Sequence, residues 1–311
     1  MVQRMEALKF VQMDQRVICI HQDNSGSVKA RQAGVLSPQA QEAKYIFISD
    51  ADDTLERTAL EKLYTKAERY KADCVCGNIT RMWNEIQFPL RQQSACFEII
   101  GEGIYNHQEI MDELYISCFG ISNYPVNLFA KLYKTEIISK AIDFEPIVWF
   151  MGEDLSVTLR CMPILKQLVI IPDTIYHYRL GGGTSKYMPY MLDDFLALYN
   201  FKTKMRKIHH MPQDAEYLMA VELINILESW YEMYKLQGQH TDAQLFDEIK
   251  RTARLSEVQH ARNILCDRKK SMAIADWISN REFEKIVQFI NKEIIAGRWH
   301  RRLKKVLCMF S

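Results

Sequence analysis

No run of apolar residues approaches the ~20 that a membrane-crossing helix needs, and the first residues lack the charged-then-apolar pattern of a secretory leader. Charge of one sign is also missing: a net +1 over 311 residues gives no overall attraction to nucleic acid or to an anionic surface. A partner of that kind would have to be met by a local patch. The 8 cysteines, at positions 19, 74, 76, 96, 118, 161, 266 and 308, form neither a zinc spacing nor a disulfide framework, since only Cys74 and Cys76 lie close together. Scattered thiols of this kind read as small buried hydrophobes in a reducing compartment. The expectation is a cytoplasmic chain with no nucleic-acid partner.

What is present is the composition of an ordinary globular protein, 48% hydrophobic and 25% charged, long enough for a sizeable core and for two units. Helical spacing over residues 1–13 leads to Arg16–His21, which reads as a short buried strand. A polar turn carries Asn24 and Gly26, and a helix is expected from Val28 to Gln41, bent or ended by Pro38. The Tyr45–Ser49 strand follows, then a helix over 56–70 and a β-like run at Asp73–Ile79. Strands alternating with helices in units of this length predict a mostly parallel sheet covered by helices. Val169–Ile171 and Ile175–Tyr178 are further strand candidates, and Gly181–Gly183 a loop. From about residue 190 the texture changes to long amphipathic patterns, with stripes such as Met191, Leu192, Phe195, Leu198 and Tyr199 that read as packing faces. The expected organisation is an α/β domain over 1–190 and a helical region over 191–311.

Chemistry concentrates at two acidic places. Tyr45 to Thr54 is an apolar run that delivers Asp50, Asp52 and Asp53 at its C-terminal end, where open α/β sheets bind ligands. Crowded carboxylates repel unless solvated or sharing a cation, and Mg²⁺ is held by one or two carboxylates with its remaining ligands from water and phosphate. An acidic, solvated turn that caps the next helix is the plainer alternative. Roughly a hundred residues later Trp149-Phe150-Met151-Gly152-Glu153-Asp154 ends a second apolar stretch on an acidic pair. Two such sites fit a division between a group that holds metal and a general base. His107 and His177 read as structural histidines.

The stretch Arg16–Leu55 resembles the family 2 glycosyltransferases of bacterial surface-polysaccharide synthesis, which have the GT-A (Rossmann-like) fold. The resemblance rests on Asn24, Gly26, Ala30-Arg31-Gln32-Ala33-Gly34 and Asp50-Ala51-Asp52-Asp53 in that order, with Gln32 where the family has Asn. Lys131-Leu132-Tyr133, Gly152-Glu153-Asp154 and Tyr178-Arg179 with Ser185 are similar to later segments of the family. It implies a nucleotide-diphosphate sugar donor, a UDP-sugar in the first place, and a glycan or lipid-linked acceptor. It also implies that Asp52, with Asp50, holds Mg²⁺ or Mn²⁺ against the donor diphosphate, Asp50 lying also by the donor ribose. It implies that Asp53 would support the site or cap its helix, and that Glu153 would be a supporting residue. Asp154 would take the acceptor proton, with inversion at the anomeric carbon; Arg31 would reach the diphosphate, and Arg179 and Ser185 would close over the donor. The family opens with a strand, helix and second strand bearing Pro-x-Tyr-Asn and Asp-Gly-Ser segments that have no counterpart here. The expectation is therefore an N-terminally incomplete GT-A domain.

Two alternatives stand beside this one. Phe47–Leu55 also resembles the haloacid dehalogenase-type phosphatase signature, with Asp50 as nucleophile and Asp52 as acid/base; it lacks the Gly before Thr54, and no acidic partner follows Glu153-Asp154 in Leu155-Ser156-Val157. The second is an inactive GT-A remnant serving as a binding module. At the C-terminus, Arg298-Trp299-His300-Arg301-Arg302-Leu303-Lys304-Lys305-Val306-Leu307-Cys308-Met309-Phe310 interleaves five cations with apolar groups, the pattern of a helix lying on an anionic membrane. Peripheral contact with the inner face of the plasma membrane through 298–310 is the corresponding expectation.

Overall fold

A computed structural model of the chain describes residues 9–82, 103–120, 124–179, 187–268 and 272–297. Six strands form one sheet: β1 (Tyr45–Phe47), β2 (Thr54–Leu55), β3 (Cys74–Met82), β4 (Gly103–Asn106), β5 (Lys131–Lys134) and β6 (Gln167–Arg179). Their order is β1-β5-β3-β6-β2, with β4 also on β6. The α/β expectation holds, but the pairing differs from a mostly parallel sheet. Among these six strands of the described residues only β3 and β6 pair side by side in parallel; β5 runs antiparallel to both β1 and β3, and β2 and β4 run antiparallel to β6. Strands β1, β3 and β6 all point the same way, and β5 is inserted in reverse between two of them. No local pattern announces that insertion, because residue alternation is blind to strand direction.

The long strand β6 unites the two runs expected separately on either side of Pro172. Pairing to β3 jumps from Cys76↔Ile170 to Asn78↔Thr174, so Ile171–Asp173 form the irregularity in which a proline without an N–H is tolerated. Gly77 lies opposite this bulge; a Cβ there would come within 2.1 Å of Ile175 Cγ1, so the close approach of β3 and β6 requires glycine.

Helix α1 (Gly26–Val35) and the short α2 (Pro38–Gln41) replace the single helix expected across this segment. Pro38 begins α2, capped by the Ser37 side chain. Helix α3 (Ala59–Tyr70) covers one face of the sheet. Its Ala59, Leu63 and Ala67, spaced by four, bury against Val75, Leu132, Val169, Ile171 and Ile175. It ends in a left-handed residue, Lys71 (φ 52), with the Ala72 N–H returning to Ala67 O. On the other face lie α4 (Thr135–Ile142) and α5 (Glu153–Cys161), followed by the helices α6 (Met191–Ile208), α7 (Gln213–Leu236), α8 (Asp242–Thr252), α9 (Ser256–Asp267), α10 (Ala273–Ser279) and α11 (Phe283–Ile295). The 24-residue α7 is buried on most of its surface and packs against α6, α8, α9, α10 and α11. One apolar cluster runs from Val35 through α4 and α5 to Ile290, so the core is continuous across residue 190.

The Arg16–His21 run is a correction. It forms no strand, and Val17, Ile18 and Ile20 are exposed. A few apolar residues become a strand only beside a partner strand, and none of the described residues supplies one there. Among the described residues no helix is long and apolar enough to cross a membrane.

Candidate active site

Arg31 stands at the centre of the acidic residues. Helix α1 buries Val28, Gln32 and Val35, and Gln32 donates through Nε2 to Ile142 O (2.7 Å) and Phe144 O (2.5 Å), fastening α1 to the end of α4. The residue that departs from the family pattern thus anchors the helix. One position earlier, the largely buried Arg31 guanidinium reaches three carboxylates: Nη1 donates to Asp154 Oδ1 (2.6 Å) and Glu153 Oε1 (3.0 Å), and Nη2 to Asp50 Oδ1 (3.0 Å). The two acidic sites, a hundred residues apart in the chain, therefore meet on one side chain.

Each carboxylate has further partners. Glu153 accepts from the Ser27 hydroxyl, and Asp154 Oδ2 from the Leu128 N–H at 3.3 Å. Burial and the neighbouring Asp154 push Glu153 up to about 7 against the pull of Arg31. Burial raises Asp154 as well, again opposed by Arg31. For Arg31 itself burial disfavours the charge, but Asp154, Glu153 and Asp50 outweigh it and the guanidinium is held above its ordinary range. Three carboxyl groups thus converge on one guanidinium, and the acidic groups outnumber the cation that holds them.

The Asp50–Asp53 turn sits on an aromatic support. Phe129 stacks on Tyr176 (centroids 4.5 Å) and on Tyr178 (5.4 Å), and the Asp50 N–H donates to the Tyr176 hydroxyl at 2.9 Å. Asp53 is half-buried and accepts the Arg179 N–H at 2.7 Å, which ties the turn to the end of β6; burial raises its pKa. Asp52 and the Arg179 side chain are exposed. Ser185 and the Gly181–Gly183 loop lie outside the described residues, as does the basic segment 298–310. His107 and His177 face Leu165 O (2.8 Å) and Glu56 Oε1 (2.9 Å).

Among the described residues no trio of His, Cys, Asp or Glu converges as a ready-made metal cage. Asp50 and Asp52 nevertheless suit a hard divalent cation. Asp52 is open to solvent and Asp50 partly so, and both offer the oxygen ligands of a cation that completes its shell with water and phosphate.

Ser27, Leu128, Tyr176 and Asp194 escaped the sequence reading. Tyr176 shows only as one residue of an alternating strand. Asp194, which holds the loop before Glu153, shows only as an acidic residue early in a helix.

Residues 4–132 match the sequence model of the family described as Glycosyl transferase family 2. The chain is 26% identical over 195 residues to "Glycosyltransferase GlyA" of Streptococcus pneumoniae serotype 4 (strain ATCC BAA-334 / TIGR4), covering 60% of this chain and 26% of that protein. It is 27% identical over 179 residues to "Glycosyltransferase GlyG" of the same strain, covering 56% of each. The chain thus spans about a quarter and about half of these two relatives. Among solved structures, residues 1–349 of S. aureus TarS superpose with a TM-score of 0.59 at 10% identity, over 94% of this chain and 79% of that one. The same TarS segment in complex with UDP-GlcNAc gives 0.54 at 13%, over 94% and 80%. At such identities the likeness shows the fold alone.

Proposed function

We propose that this chain, which belongs to glycosyl transferase family 2 through residues 4–132, moves a sugar from a nucleotide diphosphate to an acceptor hydroxyl with inversion. The observation that carries the reading is the Arg31 guanidinium held between Asp50 and Asp154. It brings a carboxylate from the end of the donor-side strand and a carboxylate suited to proton abstraction to one point, as a single displacement needs.

Asp52 and Asp50 would hold Mg²⁺ or Mn²⁺, whose charge offsets that of the departing nucleotide diphosphate. Asp154 takes the proton from the acceptor hydroxyl: one lone pair of Oδ1 faces Arg31 and one of Oδ2 faces Leu128, leaving others for the acceptor. Arg31 keeps the carboxylate oriented and its charge balanced inside a buried site. Glu153, anchored by Ser27 and Arg31, fixes the start of α5 and hence the height of Asp154. Arg179 and Ser185 are assigned to the donor side, Arg179 from its place beside Asp53.

A uridine nucleotide is supported by TarS, of the same fold, solved with UDP-GlcNAc and with UDP. The acceptor is proposed to be a glycan or lipid-linked hydroxyl in surface-polysaccharide assembly. The phosphatase alternative gives no role to Arg31, Glu153 or Asp154, which the geometry joins to Asp50. Calorimetry of UDP with and without Mn²⁺, together with turnover of UDP-sugars, tests the assignment. Metal-dependent binding and release of UDP are expected; a chain that neither binds nor turns over would instead be the binding module.

A further inference from the structure

The loop before the acid pair is held by a residue from the helical region. Asp194, in the first turn of α6 and 5% exposed, accepts through Oδ1 from the Trp149 N–H (2.7 Å) and through Oδ2 from the Phe150 and Met151 N–H groups (both 2.9 Å). Three consecutive backbone donors on one buried carboxylate are charge-assisted hydrogen bonds, roughly twice as strong as neutral ones. Only Gly152 separates this grip from Glu153. Gly152 is left-handed (φ +80) and serves as the N-cap of α5, so the chain turns sharply between Met151, fixed by Asp194, and Glu153, fixed by Arg31 and Ser27. On the opposite side the loop abuts α1: a Cβ on Gly26 would stand 3.5 Å from Trp149 O. A segment pinned at both ends with one residue between has little freedom to absorb a shift at either.

We infer that Asp194 is a positioning residue for the acid pair: by holding the Trp149–Met151 backbone it sets where α5 begins and so where the Asp154 carboxylate stands. The inference rests on the proposed transferase reading. It makes the helical region a working part of the site rather than an appendage packed on it. A misplacement of the order of 1 Å in a reacting group can cost about 100-fold in rate, while Asp50 and Asp52 stand on a separate turn whose Asp50 N–H is held by the Tyr176 hydroxyl.

The test is Asp194→Asn, which replaces one acceptor oxygen by an amide N–H₂ facing backbone donors. It is compared with Leu198→Ala, which weakens the packing of the same helix one turn on at a buried side chain that can form no hydrogen bond to the loop. Expected for Asp194→Asn is a fall in kcat of about 10- to 100-fold, with the UDP dissociation constant and the KM for the sugar nucleotide within about twofold of the wild type. The pH dependence of kcat shifts with it, because Glu153 and Asp154 lose their fixed surroundings. For Leu198→Ala, kcat stays at the wild-type value whatever the fall in melting temperature. An unchanged kcat in Asp194→Asn, a loss shared equally by Leu198→Ala, or a change confined to UDP affinity each overturns the inference. Failure of the wild type itself to bind UDP removes the transferase reading, and this inference with it.

Discussion

The Arg31 guanidinium lies 2.6 Å from Asp154 while its other terminal nitrogen lies 3.0 Å from Asp50. A single cation thus opposes the burial that raises the candidate base and ties it to the donor-side carboxylate Asp50. Removing it by Arg31→Met leaves Glu153 and Asp154 buried without a cation. The expected cost is about 3 kcal/mol near pH 8, shrinking near pH 5.5 as the carboxyls take up protons instead of remaining charged. Urea unfolding at both pH values measures it, and an equal loss at the two would argue that Arg31 does not balance these charges.

Asp154→Asn keeps the acceptor for the Leu128 N–H and removes the base. Turnover is expected to fall by about 10²–10⁴-fold, with UDP binding retained by calorimetry. Wild-type turnover in this variant would remove Asp154 from the mechanism.

Asp52 is exposed, so Asp52→Ala should leave unfolding free energy within about 0.5 kcal/mol of the wild type. The increment in UDP affinity brought by Mn²⁺ should disappear. Retention of that increment would place the cation elsewhere.

Glu153 supplies a pH signature. Its carboxyl titrates at about 7 in the folded chain against 4.5 as the ordinary value. Between those values the folded protein keeps a proton that the unfolded chain has released, so the contribution is complete below the lower value and is lost as pH rises through the upper one. Stability is expected to decline from about pH 5 to pH 7.5 and to decline less in Glu153→Gln. Equal slopes for the two proteins would contradict the assignment.

Lys131 is fully buried, its Nζ donating to Pro125 O (2.8 Å) and Asn127 O beneath the Tyr124 ring. These carbonyls belong to the loop whose Leu128 N–H meets Asp154. Lys131→Met strands two buried acceptors, for an expected loss of about 2–4 kcal/mol together with a lower kcat. Denaturant titration and turnover on the same preparation check both parts.

Much of the architecture is legible in short windows of sequence. The four-residue spacing of Ala59, Leu63 and Ala67 marks α3, Pro38 marks the break between α1 and α2, and apolar runs ending in acid mark the ends of β1 and of the stretch before α5. Arg16–His21 shows where such windows fail. Its apolar content satisfies a strand, but a strand also needs a neighbour.

The chain's own order of residues determined the alternation of strands and helices, the acidic turn at Asp50–Asp53 and the Glu153–Asp154 pair, because periodicity and local chemistry are written within a dozen positions. Tertiary structure alone decided that β5 enters the sheet in reverse, that Arg31 joins Asp50 to Asp154, and that Asp194 holds the loop between them and the helices. Those are contacts between distant segments, and they are set by which faces the packed core brings together.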